Sequence, residues 1–153
     1  MNLNDKNRTA SGFTLIELMM VVVIVAVLMA IAIPSYTGYA KKARRAEAKA
    51  ALTGLSIVLE RFYSERSPST YVGAALGTDP NDIFADYAPI DGPAANKTYT
   101  LSITSQSASG YTIKAIPTGG QATDVCGTLT LTSLGVKGVE GASSGQTWSD
   151  CWE

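Results

Sequence analysis

The chain has 153 residues, a formal net charge of −1 and a hydrophobic content of 46%, which together suit one globular domain and an additional apolar segment. It contains no histidine, the commonest general base and metal ligand, so neither a Ser-His nor a Cys-His nucleophilic pair can form. The composition therefore predicts a protein that is not an enzyme and that holds no cofactor.

The charges are unevenly distributed along the chain. Between residues 41 and 66 there are seven basic residues against three acidic ones, whereas from residue 67 onward there are three basic residues against eight acidic ones. A net charge near zero therefore conceals a basic stem, residues 41–66, and an acidic remainder.

Residues 1–12 are polar, carry three charged side chains and show no apolar periodicity, so they cannot bury a face against a core. This segment is predicted to be a leader. In a secretory signal peptide, cleavage follows the apolar region. Here the small residue Gly12 precedes the apolar region, and cleavage after it would leave the hydrophobic segment on the mature chain with Phe13 as its first residue.

The next segment, residues 13–40, is apolar and carries no charge between Leu18 and Ala40. A helix of that length, at about 1.5 Å per residue, spans the roughly 30 Å hydrocarbon core of a bilayer. Glu17 places a carboxylate inside the apolar run, and Pro34 removes one backbone hydrogen bond and predicts a kink. The segment is therefore predicted to be a membrane helix that contains one carboxylate.

Glu17 needs a physical reason, because a carboxylate inside a membrane helix costs about 2.5 to 3.5 kcal/mol on insertion scales. One interpretation gives it a cationic partner, and after cleavage the nearest candidate is an N-terminal amine, either its own or that of a neighbouring subunit. The other interpretation is a glutamate at the helix edge that reaches the lipid headgroups and is stabilised by the helix dipole. The carboxylate alone does not choose between them.

The sequence GFTLIELM at residues 12–19, the Val/Ile/Ala run and the later AIPSY at residues 32–36 resemble the N-terminus of the type IV pilins. The resemblance implies that a prepilin peptidase cleaves between Gly12 and Phe13 and methylates the new amine of Phe13. It also implies that Glu17 of an incoming subunit meets the Phe13 amine of a subunit already in the filament. The short leader and the phenylalanine are similar to the type IVa branch of the family.

Two arguments disagree on the membrane topology. Basic residues after the apolar segment outnumber those before it, and the positive-inside rule taken alone would put the C-terminal domain in the cytoplasm. The resemblance implies the opposite: a cytoplasmic leader, a periplasmic head, an inner-membrane assembly platform as a partner, and finally an extracellular pilus of pilin subunits. We follow the resemblance, because a cytoplasmic head would leave the two cysteines reduced.

A single long helix is predicted from residue 13 to about residue 66, where a Ser-Pro-Ser sequence ends it. Beyond Pro34 its apolar residues recur at steps of four and three, the pattern of a helix with one face on a core. The second half of this helix is expected to belong to a globular head, residues 41–153. The apolar stripe consists of Ala48, Leu52, Leu55, Leu59 and Phe62.

The stretch from residue 70 to residue 96 is rich in glycine, proline, aspartate and alanine without a sustained period, so it is predicted to be a long loop. The sequence Asp-Pro-Asn-Asp at residues 79–82 lacks the glycine and the spacing of an EF-hand calcium loop. A capped turn is the better interpretation there, and no metal site is predicted.

Alternating apolar and polar residues predict strands at residues 98–104, 111–115 and 127–132, and a fourth at 134–139. Short turns join them, so the strands are expected to form an antiparallel meander whose apolar face covers the helix stripe. The predicted fold class is α+β, with the long N-terminal helix packed on a sheet of about four strands, as in the type IV pilin fold.

An even pair of cysteines, Cys126 and Cys151, favours one disulfide on an oxidising side of the membrane; the alternative is two free buried thiols. A bridge would close a loop of about 25 residues, worth about 3 kcal/mol in the chain-entropy model. The CGTLTL sequence that begins at Cys126 and the terminal CWE that begins at Cys151 are similar to the PilE-type minor pilins. The resemblance does not reach residues 72–96.

The leading functional hypothesis is structural: a minor subunit of a type IV pilus that supports pilus biogenesis, twitching motility and adhesion. Three alternatives stay open: a minor pilin that is a DNA receptor in natural transformation, a major pilin, and a type II secretion pseudopilin. The acidic head disfavours DNA binding, since a duplex normally needs clustered Lys and Arg on one exposed surface. The predicted disulfide loop and the lack of a calcium-loop pattern count against the pseudopilin.

Overall fold

The computed structural model describes residues 12–153, and the predicted leader lies outside the described residues except for Gly12. The chain divides into two compact units, one that ends at Tyr39 and one that spans Ala40–Glu153. A single helix, α1, contributes residues to both units.

Helix α1 spans Leu15–Ser64, 50 residues in all, which confirms the long helix expected from the sequence. In the first unit its large apolar side chains are exposed in the isolated chain. By length and composition the helix can cross a membrane. Pro34 lies inside it, with Thr37 Oγ1 donating a hydrogen bond to the Pro34 carbonyl oxygen at 2.9 Å, and the kink stays a prediction.

The second unit combines the later part of α1 with five strands and a short C-terminal helix. The strands are β1 (Tyr87–Ala88), β2 (Tyr99–Gln106), β3 (Tyr111–Pro117), β4 (Thr128–Thr132) and β5 (Lys137–Glu140), and the helix is α2 (Trp148–Trp152). The strands form one sheet in the order β1-β2-β3-β4-β5, and every pairing is antiparallel. The predicted meander is therefore confirmed.

The core of the second unit lies between one face of α1 and the sheet. All five residues of the predicted helix stripe are buried, and Leu52, Leu55 and Leu59 are completely so. From Tyr111 to Ala115 of β3 and along β4 every second residue is buried, including Ile113 and Leu129, because alternate residues of a strand point to the same face. Helix stripe and strand face belong to one hydrophobic core, which confirms the α+β fold.

The structure contains one strand more than the sequence predicts, because β1 lies in the stretch predicted to be a loop. With two residues, β1 is too short to show an alternating pattern. Its conformation comes from its neighbour: Ala88 pairs with Tyr99 of β2, and the Thr98 amide donates a hydrogen bond to the Ala88 carbonyl oxygen at 2.9 Å. Such a strand is determined by the edge on which it pairs rather than by its own residues.

Candidate functional site

The predicted processing site lies directly before α1. Gly12 and Phe13 have no regular secondary structure and both are exposed, with 85% of Phe13 accessible. Peptidases cleave exposed, non-helical segments more readily than helices. The bond between Gly12 and Phe13 is thus accessible, while its cleavage and the methylation of Phe13 stay predictions.

Glu17 lies in the first turn of α1 and forms a capping box with Thr14. The Thr14 backbone N and Oγ1 donate hydrogen bonds to Glu17 Oε2 at 2.9 and 2.7 Å, and the Glu17 backbone N donates to Thr14 Oγ1 at 3.3 Å. These bonds satisfy N–H groups that have no partner within the helix. The Thr-x-x-Glu sequence at residues 14–17 is the signal of this motif, although the predictions made from the sequence did not include a capping box. The contact between Glu17 and the Phe13 amine of another subunit stays a prediction.

The first unit presents an apolar surface on every side of α1. Four consecutive residues, Val21 to Ile24, each expose between 53 and 62% of their surface. Consecutive residues of a helix point in different directions, so no side of this segment is polar. A surface of this kind needs lipid or other apolar helices to cover it.

A buried ion pair joins α1 to the chain that precedes β4. Arg45 and Asp124 are each 7% exposed, with Arg45 Nε 2.9 Å from Asp124 Oδ2 and Arg45 Nη2 2.5 Å from Asp124 Oδ1. Tyr99 on β2 donates a third hydrogen bond to Asp124 Oδ2 at 3.4 Å. The hydrogen bond to Asp124 raises the pKa of Arg45, and burial raises the pKa of Tyr99 to about 12. The arginine therefore stays charged and the tyrosine neutral at physiological pH.

Two further side chains fasten the same segment to α1. Gln121 is completely buried and donates through Nε2 to the Lys41 carbonyl oxygen at 3.1 Å and to Tyr99 Oη at 3.0 Å. Lys41 Nζ donates to the Thr123 carbonyl oxygen at 3.1 Å and to Thr123 Oγ1 at 2.8 Å. The chain is thus bonded to α1 just before it reaches Cys126.

The C-terminal segment is held at three points. The predicted disulfide between Cys126 and Cys151 is present, and both residues are buried. Trp152 Nε1 donates a hydrogen bond to the Gly138 carbonyl oxygen on β5 at 3.0 Å. Lys49 Nζ on α1 donates to the Trp152 carbonyl oxygen at 3.1 Å. The last residues of the chain are therefore tied to both the sheet and the helix.

Near its C-terminal end α1 carries a glutamate that accepts hydrogen bonds from two tyrosines. Tyr71 Oη donates to Glu60 Oε2 at 2.9 Å, and Tyr111 Oη donates to Glu60 Oε1 at 3.2 Å. The ring of Tyr63 stacks on that of Tyr71 with centroids 4.6 Å apart. Burial raises the pKa of Tyr71 to about 12 and raises the pKa of Tyr111 as well. This cluster fastens the chain that follows α1 to the sheet.

Residues 12–153 contain no group of three or more His, Cys, Asp or Glu side chains that could hold a metal ion. At the Asp-Pro-Asn-Asp turn, Asp82 Oδ2 accepts a hydrogen bond from the Asp79 backbone N at 2.8 Å. The Asp82 carboxylate thus caps its own turn, as the sequence predicts.

Two family models match the chain. One, described as "Type IV minor pilin ComP, DNA uptake sequence receptor", matches residues 34–130, and the other, described as "Prokaryotic N-terminal methylation motif", matches residues 7–33. The first match covers more than half of the sequence, and the chain belongs to the type IV pilin family. Members of this family are structural proteins that assemble into filaments with other pilins. The resemblance noted in the sequence is thereby confirmed.

Relatives of known identity are pilins too. The chain is 39% identical over 77 residues to the type IV major pilin protein PilA of Myxococcus xanthus, covering 50% of this chain and 34% of that protein. It is 35% identical over 83 residues to the type IV major pilin protein PilE1 of Neisseria gonorrhoeae, covering 53% of this chain and 50% of that protein. The chain thus matches about a third to a half of the length of these two relatives. With the fimbrial protein EcpC of Eikenella corrodens it shares 29% identity over 74% of this chain and 76% of that protein.

Two solved structures resemble the chain. One is the non-core minor pilin PilV of Neisseria meningitidis, with a TM-score of 0.49, 18% identity, and coverage of 71% of this chain and 93% of that one. The other is a type IV pilin from Shewanella oneidensis, with a TM-score of 0.43, 28% identity, and coverage of 63% of this chain and 89% of that one.

Proposed function

We propose that the chain is a minor subunit of a type IV pilus. It is made as a prepilin in the bacterial inner membrane with its head in the periplasm, cleaved after Gly12 by the prepilin peptidase and methylated at Phe13. It then passes through the inner-membrane assembly platform into a filament of pilins, where it supports pilus biogenesis, twitching motility and adhesion. The match of residues 7–33 to an N-terminal methylation motif supports this proposal.

One observation carries the proposal: the part of α1 that belongs to the first unit, residues 15–39, is apolar on every side and exposed, and Glu17 near its start is its one carboxylate. Lipid covers such a helix before assembly, and the helices of neighbouring subunits cover it afterwards. Glu17 costs about 2.5 to 3.5 kcal/mol in lipid, so a site that offers a cation favours its departure from the bilayer. The Phe13 amine of a neighbouring subunit supplies that cation.

Two variants separate the docking role of Glu17 from its capping role. Glu17→Gln removes the charge but keeps a side chain that serves in a capping box, whereas Thr14→Ala keeps the charge and removes the hydroxyl of the box. We expect Glu17→Gln to abolish incorporation while the subunit stays stable in the membrane. Thr14→Ala should still be incorporated.

Immunoblots of sheared filaments and of the membrane fraction measure both variants. Wild-type levels of Glu17→Gln in filaments would refute the docking role. Loss of Thr14→Ala together with retention of Glu17→Gln would show that Glu17 serves only to start the helix.

The abundance of the chain in sheared pili separates a minor from a major subunit. Two of the relatives are named major pilins, whereas the family model that covers residues 34–130 describes a minor one. We expect the chain to be a small fraction of the pilin recovered, measured by quantitative mass spectrometry. If it is the dominant pilin, the minor role is wrong and the filament role stands.

A second candidate function, DNA reception in natural transformation, is favoured by the description of the same family model. Against it, residues 67–153 carry three basic side chains and eight acidic ones. A mobility-shift assay with the detergent-solubilised full chain and duplex DNA at two salt concentrations tests it. Receptor function predicts binding that weakens steeply with salt, because phosphate contacts release counterions. No shift at low salt would exclude it.

A further inference from the structure

Four basic residues follow the apolar unit within six positions, and only two of them form side-chain bonds to the rest of the head among the described residues. Arg45 is buried and paired with Asp124 through two hydrogen bonds. Lys41 Nζ is bonded to Thr123, at 3.1 Å to its carbonyl oxygen and 2.8 Å to Oγ1. These two cations are committed to holding residues 121–124 against α1. The full set is Lys41, Lys42, Arg44 and Arg45.

The other two cations, Lys42 and Arg44, have no such partners. Lys42 is exposed and Arg44 is half-buried. Among the described residues the ion pairs are Arg45 with Asp124, Arg61 with Glu65 and Lys114 with Glu140, so neither Lys42 nor Arg44 takes part in one. Glu47 lies one turn after Arg44 on the same helix and forms no ion pair with it. Lys42 and Arg44 thus take part in no ion pair within residues 12–153, and they lie three and five residues beyond the end of the apolar unit. Lys41 also keeps its positive charge, but its ammonium is already bonded to Thr123.

We propose that Lys42 and Arg44 bind the phosphate groups of anionic phospholipids at the surface of the membrane that holds the apolar helix. This inference rests on the proposed function in one respect, since it requires that helix to lie in a bilayer. Cations next to a membrane segment are attracted to anionic headgroups. The guanidinium of Arg44 matches two phosphate oxygens in a fork, and the ammonium of Lys42 acts as a point charge.

Lipid phosphate fits these two residues better than the phosphates of a nucleic acid. A protein that binds duplex DNA typically neutralises many phosphates along one surface. Here two of the four cations are not bonded to the rest of the described head, whereas Lys41 is held by Thr123 and Arg45 is paired with Asp124. Glu47 adds a negative charge on the same helix. Their position directly after a charge-free apolar segment places them at the depth of the headgroups once that segment spans a bilayer.

The contacts last only while the subunit is in the membrane. Before assembly, the contacts of Lys42 and Arg44 with lipid phosphates hold this part of α1 at the membrane surface. These contacts break when the subunit leaves the bilayer for the filament. The anionic lipid content of the membrane therefore sets part of the free energy of subunit extraction.

The experiment uses the full-length chain in vesicles with one nitroxide label. The two native cysteines are joined in a disulfide, so Ala46→Cys adds the one free thiol. Residue 46 is exposed and lies one turn after Lys42. The nitroxide collides with lipid-soluble oxygen and with a water-soluble nickel chelate, and the ratio of these two collision rates reports how close the label lies to the bilayer. The vesicles are phosphatidylcholine with or without phosphatidylglycerol.

We expect the label to lie closer to the bilayer when phosphatidylglycerol is present. Lys42→Gln or Arg44→Gln should each lower the equilibrium constant for this state about fivefold, and both together about 25-fold. High salt should abolish the difference in label depth between the two kinds of vesicle. Lys97→Gln removes the same charge from an exposed position elsewhere in the head and should change nothing.

Equal label depth in both kinds of vesicle, with the chain inserted, would overturn this inference and leave the proposed function intact. Failure of the chain to insert, shown by its extraction with carbonate, would overturn both. If short duplex DNA binds the Lys42 and Arg44 pair in phosphatidylcholine vesicles and displaces the label from phosphatidylglycerol vesicles equally well, the site is a nucleic-acid site and the lipid assignment is wrong.

Discussion

The two parts of α1 are made of similar apolar residues in opposite surroundings. Up to Tyr39 the large apolar side chains are exposed in the isolated chain, whereas from Ala48 onward the apolar stripe is buried under the sheet. In the first part apolar residues point in every direction, and in the second they recur every three or four residues with polar residues between them. The pattern of apolar residues, more than their number, therefore decides whether a helix is covered by its own chain or by other molecules.

The largest expected effect comes from breaking the buried ion pair, which tests whether the head alone holds the second part of α1. Asp124→Ala leaves Arg45 charged and buried without its partner and should lower the free energy of unfolding by about 3 to 5 kcal/mol. Both tryptophans of the chain lie in the head, so their fluorescence during urea unfolding of the full chain in micelles measures this loss.

The double variant Arg45→Met with Asp124→Leu is the control for this experiment. It removes both charges and fills the space with apolar groups, so its stability should lie close to that of the wild-type chain. A double variant as unstable as Asp124→Ala would mean that packing, and not the uncompensated charge, explains the loss.

The same Leu→Ala substitution in each part of α1 compares how much a buried and an exposed leucine contribute to the stability of the head. Leu52→Ala empties a completely buried position and should lower the stability of the head by about 2 to 5 kcal/mol. Leu28→Ala removes the same atoms from a side chain that is 61% exposed and should change head unfolding by less than about 0.5 kcal/mol. Equal losses at the two positions, in the same urea titration, would contradict the division of the helix.

Removal of the disulfide tests how much the C-terminal segment contributes to the stability of the head. Replacing Cys126 and Cys151 together by alanine should cost about 3 kcal/mol, since the denatured chain regains the freedom of the closed loop. Thermal unfolding with and without a reductant measures it: reductant should destabilise the wild-type chain by a similar amount and leave the double variant unchanged. A reductant effect on the variant would point to another cause.

Each unit has its own capping box, and removing the threonine of each box should produce a smaller difference in head stability than the substitutions above. Thr147 and Asp150 cap α2, with the Thr147 backbone N and Oγ1 donating to Asp150 Oδ2 at 2.8 and 2.6 Å. Thr147→Ala should lower head stability by about 1 kcal/mol. Thr14→Ala, at the start of α1, should leave the unfolding of the head as it is. The midpoint of urea unfolding distinguishes the two, and a shift for Thr14→Ala would mean that the units are energetically coupled.

The last prediction concerns alkaline pH, and its effect is absent at neutral pH. The pKa of Tyr99 is raised by burial to about 12, above its ordinary value of 10.0. The unfolded chain therefore loses this proton first, so stability is full below pH 10 and declines as the pH rises towards 12. Tyr99→Phe should reduce the dependence of the urea midpoint on pH in this window, and the raised pKa values of Tyr71 and Tyr111 should account for the rest. Tyr39→Phe, at an exposed position in the first unit, is the matched control for the loss of one tyrosine hydroxyl.

Local periodicity was enough to predict most of the fold. The helix stripe and the three main strands repeat the same pattern over several residues, so the signal accumulates within each element. The two-residue β1 has no room for a pattern, and its pairing with β2 depends on a neighbour that follows later in the chain.

The head's polar contacts were less predictable than its core. Arg45 and Asp124 are 79 residues apart, and nothing near either residue distinguishes Arg45 from the other three cations of its group. The capping role of Glu17, by contrast, was readable from Thr14 three positions earlier. The roles of Gly12, Phe13 and Glu17 in processing and docking stay predictions, since they need an enzyme or a second subunit.

Trp152 donates a hydrogen bond to the Gly138 carbonyl oxygen on β5, the last strand of the sheet. An open strand edge offers N–H and C=O groups on which a strand of another molecule can pair. The bond from Trp152 removes one such acceptor from this edge, and the disulfide at Cys151 holds Trp152 beside it.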